Sequence, residues 1–575
     1  MTVTGEEHAR QEQRPPGPRH AADRTRARLG HAHVYIDIGF VRIQRYLART
    51  AKLRGRRAAS DHLARATDSE AVAAALPPGL AGLAEANPEA GRADGVISLR
   101  LAPHAPHAPD SLDARDRLVQ DVIDAVFAGL REEFPGAELE AVWGTGESYL
   151  AARMRDMVPR QARGEVRVEL PAPAEFPLAQ PCRLCHTDPA AGTAQVPGER
   201  REQAVCPDCA RRLAHDRRAL ARERRGDGDA SAESRLQKAI GCAPAPDTLQ
   251  ELAEHTLDLD HTRQGAGKGT GGGAAKGGGS GAHSRDGGPR GTQLATVYID
   301  GNAVGAFFRA LASAASASAE LRRAKETISA ELAEATVMAL HLATEQVMEG
   351  PARTGPLLVV PHVVGGDDVL VSLPADRAWT FTLTYLEMFH DLLAETTGPV
   401  LRLLPAPRPE PPTASAGIVF AHSTYPMNLV VDLAEERLTR AKRATSGAAC
   451  SVDFVDVTAD GPHGTADPAL PLAALDARTR AALAALARTP AAHRRELAAA
   501  VRAHGPLIAA RTVGARVGHR QLADAFDLFL PPDDTGTHDF RSFPGSSGSL
   551  DSPGSPPPLI SLSHALRIAR WWPTS

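Results

Sequence analysis

The chain has 575 residues, 43% of them apolar and 23% charged, with a formal net charge of −4. That length exceeds what one hydrophobic core supports and implies roughly two to four domains, while the near-neutral balance excludes a global attraction to nucleic acid or to anionic membranes. Six cysteines are too few for a disulfide scaffold in a chain this long; four of them fall in two Cys-x-x-Cys pairs, which suits a reducing compartment and a metal.

Residues 1–30 are Arg- and Pro-rich, without periodicity, and are expected to be disordered. They contain no apolar core of signal-peptide type, and no apolar run in the chain approaches the length of a membrane span. The expected location is therefore the cytoplasm, with no membrane partner. His33–Gly39 (HVYIDIG) reads as a strand, and Leu53–Ala66 (LRGRRAASDHLARA) as a basic helix with two readings, a solvated face or an RNA- or phosphate-facing surface. Val96–Leu101 reads as a strand, Asp113–Phe134 as a helix with 3.6-residue apolar spacing, and Leu139–Trp143 as a further strand. This order over residues 31–175 suggests a palm. Asp37 mirrors Asp300, further along the chain, in position, but no acidic pair on a turn accompanies it, and the nearest stretch (WGTGES) offers only Glu147. The unit therefore reads as a degenerate palm.

Residues 176–261 hold Cys182-x-x-Cys185 and Cys206-x-x-Cys209, a spacing that lets four thiolates converge tetrahedrally on a structural Zn²⁺. Cys242 and Cys450 read as small buried hydrophobes, and the His-Asp dipeptides at 215, 390 and 538 read as chance. Residues 262–293 form a glycine-rich linker. Its GAGKGT lacks the spacing and the preceding strand of a phosphate loop and is assigned no chemistry.

The most informative unit is 294–458. A β-rich run in ATVYIDGNAVGAFF ends at Asp300 and passes through Gly301 into a helical pattern. Then LLVVPHVVGGDDVLVSL reads as a hairpin with Gly365, Gly366, Asp367 and Asp368 at its turn. Adjacent carboxylates on a buried hairpin repel one another unless a cation sits among them, and the glycines leave room for a ligand against the turn. Downstream lie a strand, a short loop and an amphipathic helix carrying Lys442. Only six lysines stand among 65 Lys and Arg residues, so a lysine here suggests a point-charge role such as phosphate contact. The order strand, helix, hairpin, helix, strand, helix is that of a ferredoxin-like palm. The expected fold class is α+β: two ferredoxin-like palm domains, an intervening zinc-binding element and a C-terminal helical region. That region is a helical domain over 459–531, followed over 532–575 by a mostly disordered tail whose last residues could dock as a helix.

Two palms, a four-cysteine element between them and GGDD in the second resemble the large polymerase/cyclase subunit of type III CRISPR effector complexes. Val41–Leu63, YIDGNAVG, VVGGDDVLVS, SAGIVFAHSTYPMNLVVDLAEERLTRAK and SVDFVDV look like family motifs in family order, over roughly residues 33–458. The resemblance implies conversion of ATP into cyclic oligoadenylate messengers in antiviral defence. Asp300, Asp367 and Asp368 would be the catalytic residues, holding Mg²⁺ or Mn²⁺. Gly301, Gly365, Gly366 and Lys442 would bind nucleotide. The implied partners are ATP or another nucleoside triphosphate, RNA, and effector subunits. Three departures from the family pattern stand out: no HD nuclease precedes the first palm, Asn302 stands where an acidic residue is common, and the first palm lacks a recognisable hairpin turn. The alternatives are a GGDEF-like cyclase with another nucleotide product, and a non-catalytic RNA- or partner-binding scaffold.

Overall fold

The computed structural model describes residues 33–49, 53–90, 95–102, 112–171, 180–196, 199–223, 232–256, 291–315, 318–348, 355–465, 467–514, 516, 519–530 and 560–574. The expectations for the N-terminal 30 residues, for nearly all of the glycine-rich linker and for most of the tail lie outside them.

The first unit is built on β1 (His33–Val41), whose period-2 alternation puts Val34, Ile36 and Ile38 on one face and Tyr35 and Asp37 on the other. After α1 (Ile43–Ala48), α2 (Leu53–Ala66) and α3 (Ser69–Ala74) come β2 (Ala84–Ala86), β3 (Val96–Leu101), α4 (Leu112–Glu133), β4 (Glu138–Gly146) and β5 (Arg167–Glu169). The sheet order is β2-β3-β1-β4-β5, antiparallel throughout. α4 buries Val119, Val122, Ile123, Val126 and Phe127 in the same cluster as Ile36 and Ile38, as its 3.6-residue pattern requires.

A two-stranded sheet, β6 (Gly192–Ala194) and β7 (Gln203–Val205), leads into α5 (Pro207–Glu223). This element is fastened to the first unit by a buried cation. Arg212 pairs with Asp208 at 2.9 Å, donates to the Tyr46 carbonyl at 2.8 Å, and lies 4.3 Å over the Tyr46 ring.

The second unit begins with β8 (Gln293–Asn302), α6 (Val304–Ala315) and α7 (Ala319–Val347). The hairpin β9 (Val360–Gly365) and β10 (Asp368–Pro374) follows, then α8 (Ala378–Leu403), β11 (Thr413–His422), α9 (Met427–Ala444), β12 (Ser451–Asp456) and β13 (Leu470–Pro471). The sheet order is β13-β12-β11-β8-β10-β9. β8 is antiparallel to both β10 and β11, and β12 runs parallel to β11 after the α9 crossover. Leu294–Ile299 are all buried, which explains why β8 reads as a continuous apolar run.

The helices α10 (Ala477–Arg488), α11 (Ala491–His504) and α12 (His519–Phe529) do not close a core of their own. Leu483, Leu486, Phe526 and Phe529 belong to the same apolar cluster as Trp379 and Phe420 of the second unit. The short α13 (Leu562–Ile568) and the residues after it also dock there. Trp571 stacks on Phe420 with ring centroids 5.6 Å apart, and its Nε1 donates to Asp456 at 2.8 Å. Trp572 packs against Trp379, and His564 stacks on Phe454.

Burial lowers the His564 pKa from 6.5 to about 4, so the folded protein holds this imidazole neutral. A depressed histidine contributes stability above pH 6.5 that is lost as pH falls through 4, to a limit of about 3 kcal/mol. Urea midpoints at pH 7 and pH 4 are expected to differ less for His564→Phe, which keeps the stack on Phe454, than for the unchanged protein.

Candidate functional site

The β8–β10 register pairs Val369 with Ile299, which brings Asp300 opposite Asp368 across the ladder. Asp368 opens β10 and pairs with Gly365, leaving Gly366 and Asp367 as a two-residue turn. Gly366 has φ +59°, as the first position of a type II′ turn demands. The Gly366 carbonyl accepts a 2.6 Å hydrogen bond from Thr336 on α7, which pins the turn to that helix. Gly301 is required for a different reason: a Cβ there would collide with the Asp367 carboxylate and with Val304.

Lys442, in the last turn of α9, forms an ion pair with Asp300 and donates to the Gly301 carbonyl at 2.9 Å. Its ammonium thus lies on a carboxylate, where the sequence suggests a phosphate. The other two aspartates feel less of it. Burial, then the Asp300 charge, raises the Asp367 carboxyl above the usual range. Burial, Asp300 and Asp367 together push Asp368 up to about 8. A low-dielectric pocket that resists ionisation of its own carboxylates favours a cation. Carboxylate oxygens are the donors a hard divalent ion takes, with water and substrate oxygens in the rest of its shell.

Asn302 is buried, and its Nδ2 donates to Thr413 and Ser415, each at 2.9 Å. The structure therefore gives it a strand-bridging role at the end of β8. Thr336, Tyr298 and Tyr385 were not legible as site residues. Tyr298 and Tyr385 have their phenols raised by burial, with the nearby aspartates adding to it. They sit in ordinary strand and helix patterns that carry no signal in a sequence.

The first unit offers a comparison. Tyr35-Ile36-Asp37 stands in β1 as Tyr298-Ile299-Asp300 stands in β8, and Asp37 pairs across the ladder with Ser98, where Asp300 faces Asp368. Asp37 accepts hydrogen bonds from Ser98 at 2.6 Å and from Tyr149 at 2.7 Å, and Arg153 lies 3.4 Å away. Its charge is thus balanced by the protein itself. Glu147 is exposed and pairs with Arg155 at 3.8 Å.

The four cysteines converge. Their sulfurs all lie within 4.8 Å of one another, and Cys185 Sγ stands 3.8 Å from Cys206 Sγ. The S···S edge of a tetrahedron with Zn–S of about 2.3 Å is about 3.8 Å. The Leu184 and Cys209 amides point at Cys182 Sγ and Cys206 Sγ, each at 3.4 Å. The donor set fits zinc. Cys450 is buried and Cys242 half-buried, both as free thiols.

The basic helix turns at least one of its arginines inward. α2 packs against α5, and Arg56 is fully enclosed, with burial lowering its pKa to about 9.

Residues 293–449 match the family model described as Cas10/Cmr2, second palm domain. The chain carries a Cas10/Cmr2 second palm domain. This Cas10-like palm spans β8 through α9 and contains the whole Asp300, Asp367, Asp368 and Lys442 cluster. Similar solved structures include a chain of the Csm1-Csm4 cassette in complex with cA4, at 13% identity and TM-score 0.49, covering 95% of this chain and 71% of that one. The same cassette with pppApA matches at 12% identity and TM-score 0.48, covering 96% and 71%. A type III-B Cmr-beta apo structure matches at 10% identity and TM-score 0.37, covering 72% and 67%. No curated protein matches the chain. Among the described residues no helix is long and apolar enough to cross a membrane.

Two glycine substitutions separate the roles of the turn and the packing beside it. Gly366→Ala meets no neighbour and is expected to cost about 1–2 kcal/mol for positive φ alone, with Gly366→Asn milder. Gly301→Ala must displace Asp367 and is expected to cost about 1–3 kcal/mol, with no relief from Asn. Chemical-denaturation midpoints of the variants check both.

Proposed function

We propose that the palm is a metal-dependent nucleotidyltransferase that joins ATP into cyclic oligoadenylate-type messengers within a type III CRISPR assembly. The observation that carries the reading is the Asp300, Asp367 and Asp368 set, inside a segment matching the Cas10/Cmr2 second palm. Burial and mutual repulsion leave these carboxylates in want of a divalent cation.

In this reading Asp300, Asp367 and Asp368 hold Mg²⁺ or Mn²⁺. When bound, the cations lower the cost of ionising a 3′-hydroxyl and neutralise charge on the departing pyrophosphate. Gly301, Gly365 and Gly366 leave the turn without side chains, so a nucleotide can lie against the backbone. Lys442 would move from Asp300 to a substrate phosphate once metal neutralises Asp300, a point-charge contact suited to a lysine. Positioning and charge neutralisation supply most of the catalysis.

The rest of the chain serves this site. The first unit is a second, degenerate palm: its strand order β4-β1-β3-β2 repeats the order β11-β8-β10-β9, and the Ser98, Tyr149 and Arg153 contacts leave Asp37 no call for metal. The cysteine element carries structural Zn²⁺. Effector subunits and RNA are the partners, and the site works in the cytoplasm.

The test is incubation with Mg²⁺ or Mn²⁺ and each labelled nucleoside triphosphate, with and without RNA, beside Asp367→Ala/Asp368→Ala. The expected outcome is a cyclic or linear oligonucleotide with released pyrophosphate from ATP, at least about 10³-fold reduced in the double variant. A product from GTP would transfer the reading to a GGDEF-like cyclase. Absence of metal-dependent nucleotide binding would leave a scaffold.

A second outcome concerns Lys442→Ala. If the ammonium meets a phosphate, the variant binds nucleoside triphosphate at least about tenfold more weakly and loses less for the nucleoside. Equilibrium binding of ATP and adenosine at fixed Mg²⁺ separates this from a purely structural pairing with Asp300.

A further inference from the structure

The His-Asp dipeptide at 215 carries no meaning in the sequence, yet the fold gives its histidine one. His215 on α5 meets His62 on α2 and Glu133 at the end of α4, three side chains from three helices. Glu133 Oε2 lies 3.1 Å from Nε2 of each imidazole, and the ligand atoms of all three residues fall within 4.8 Å of one another. The imidazole rings stack with centroids 3.4 Å apart and planes 18° from parallel.

A carboxylate bridging two histidines is the plain alternative, and the geometry argues against it. His215 makes an acceptable hydrogen bond to Glu133, but His62 Nε2 is buried and takes no hydrogen bond despite the nearby oxygen. An enclosed ring nitrogen without a hydrogen bond is costly, and a metal ion would satisfy it through its lone pair. Nor do two face-to-face imidazolium rings suit one carboxylate, since like charges so close disfavour the doubly protonated state. Glu133 is 36% exposed at its side chain, whereas His62 is 13% and His215 9% exposed. One side of the cluster is therefore open for entry and for solvent ligands.

We propose that His62, Glu133 and His215 form a second metal site, taking a divalent transition ion of the zinc type. Two imidazoles and one carboxylate suit such borderline ions and not Mg²⁺, which prefers all-oxygen shells. Metal–nitrogen bonds of about 2.0–2.1 Å require the rings to turn out of their stack, and the open side gives room for that. The site joins α2 and α4 of the first unit to the helix that follows Cys206, so it clamps the cysteine element independently of the four thiolates. It does not depend on the activity proposed for the palm.

The test is Co²⁺ and Zn²⁺ binding by the full chain, with the unchanged protein, His62→Gln, Glu133→Gln and Cys206→Ser compared. The cysteine set should give the intense near-ultraviolet thiolate-to-cobalt band, and the second site only weak visible d–d bands. The expected result is a second equivalent that His62→Gln and Glu133→Gln lose while keeping the thiolate band, which also reports that they fold. Broadening of the His62 and His215 ring-proton resonances by the added Co²⁺ is expected in the unchanged protein and in Cys206→Ser. The proposal is overturned if the unchanged protein takes up only the thiolate-bound equivalent, or if a second equivalent survives both substitutions.

Discussion

Two carboxylates at a hairpin turn and a third facing them from the neighbouring strand repel one another, and the second unit is arranged around holding them there. The β8–β10 register sets Asp300 against Asp368, the Gly366 turn presents Asp367, and the hydrogen bond from Thr336 keeps the turn from swinging away. Lys442 neutralises Asp300, while burial and repulsion hold Asp367 and Asp368 back from ionising, a balance that a divalent cation would shift. The supporting strands are largely apolar, and where they carry buried polar groups these pair with one another, as Thr296 and His362 do with Ser372. A flexible scaffold would let the carboxylates separate and hydrate.

The two sheets show how one framework carries opposite electrostatics. Both place a Tyr-Ile-Asp strand in the centre, between antiparallel neighbours. In the second, the position across the ladder is another aspartate; in the first it is Ser98, and Tyr149 and Arg153 complete the ring around Asp37. Burial still raises the Asp37 carboxyl above its usual range, but every neighbour donates to it. One site is left wanting a cation and the other is closed by hydroxyls and a guanidinium.

The second unit was largely legible because its signals are local: the apolar run of β8, the glycine turn between two β-rich segments, and an amphipathic helix with a rare lysine. β3 was legible to the residue, and α4 to within one residue at each end. The short β2 was not, since three residues without apolar alternation carry no period. Ser98 looked like any strand serine because its meaning comes from Asp37, 61 residues away. The basic helix held the opposite surprise. Its charge run suggested a surface, but Arg56 is buried where α2 packs against α5, and no property of residues 53–66 alone reports a helix that begins at residue 207. His215 was invisible for the same reason: its neighbours come from helices far away in sequence.

The docking of residues 560–574 bears on when the palm can finish folding. Trp571 and Trp572 fill space against Phe420 and Trp379, and Trp571 and Arg570 both reach Asp456. These side chains leave the ribosome more than 100 residues after β12 is made. Until then the palm has an open apolar flank, so the nascent chain must carry exposed Phe420 and Trp379 through the synthesis of α10 to α12. A chain lacking residues 560–574 would be held in that unfinished state, however intact its aspartates.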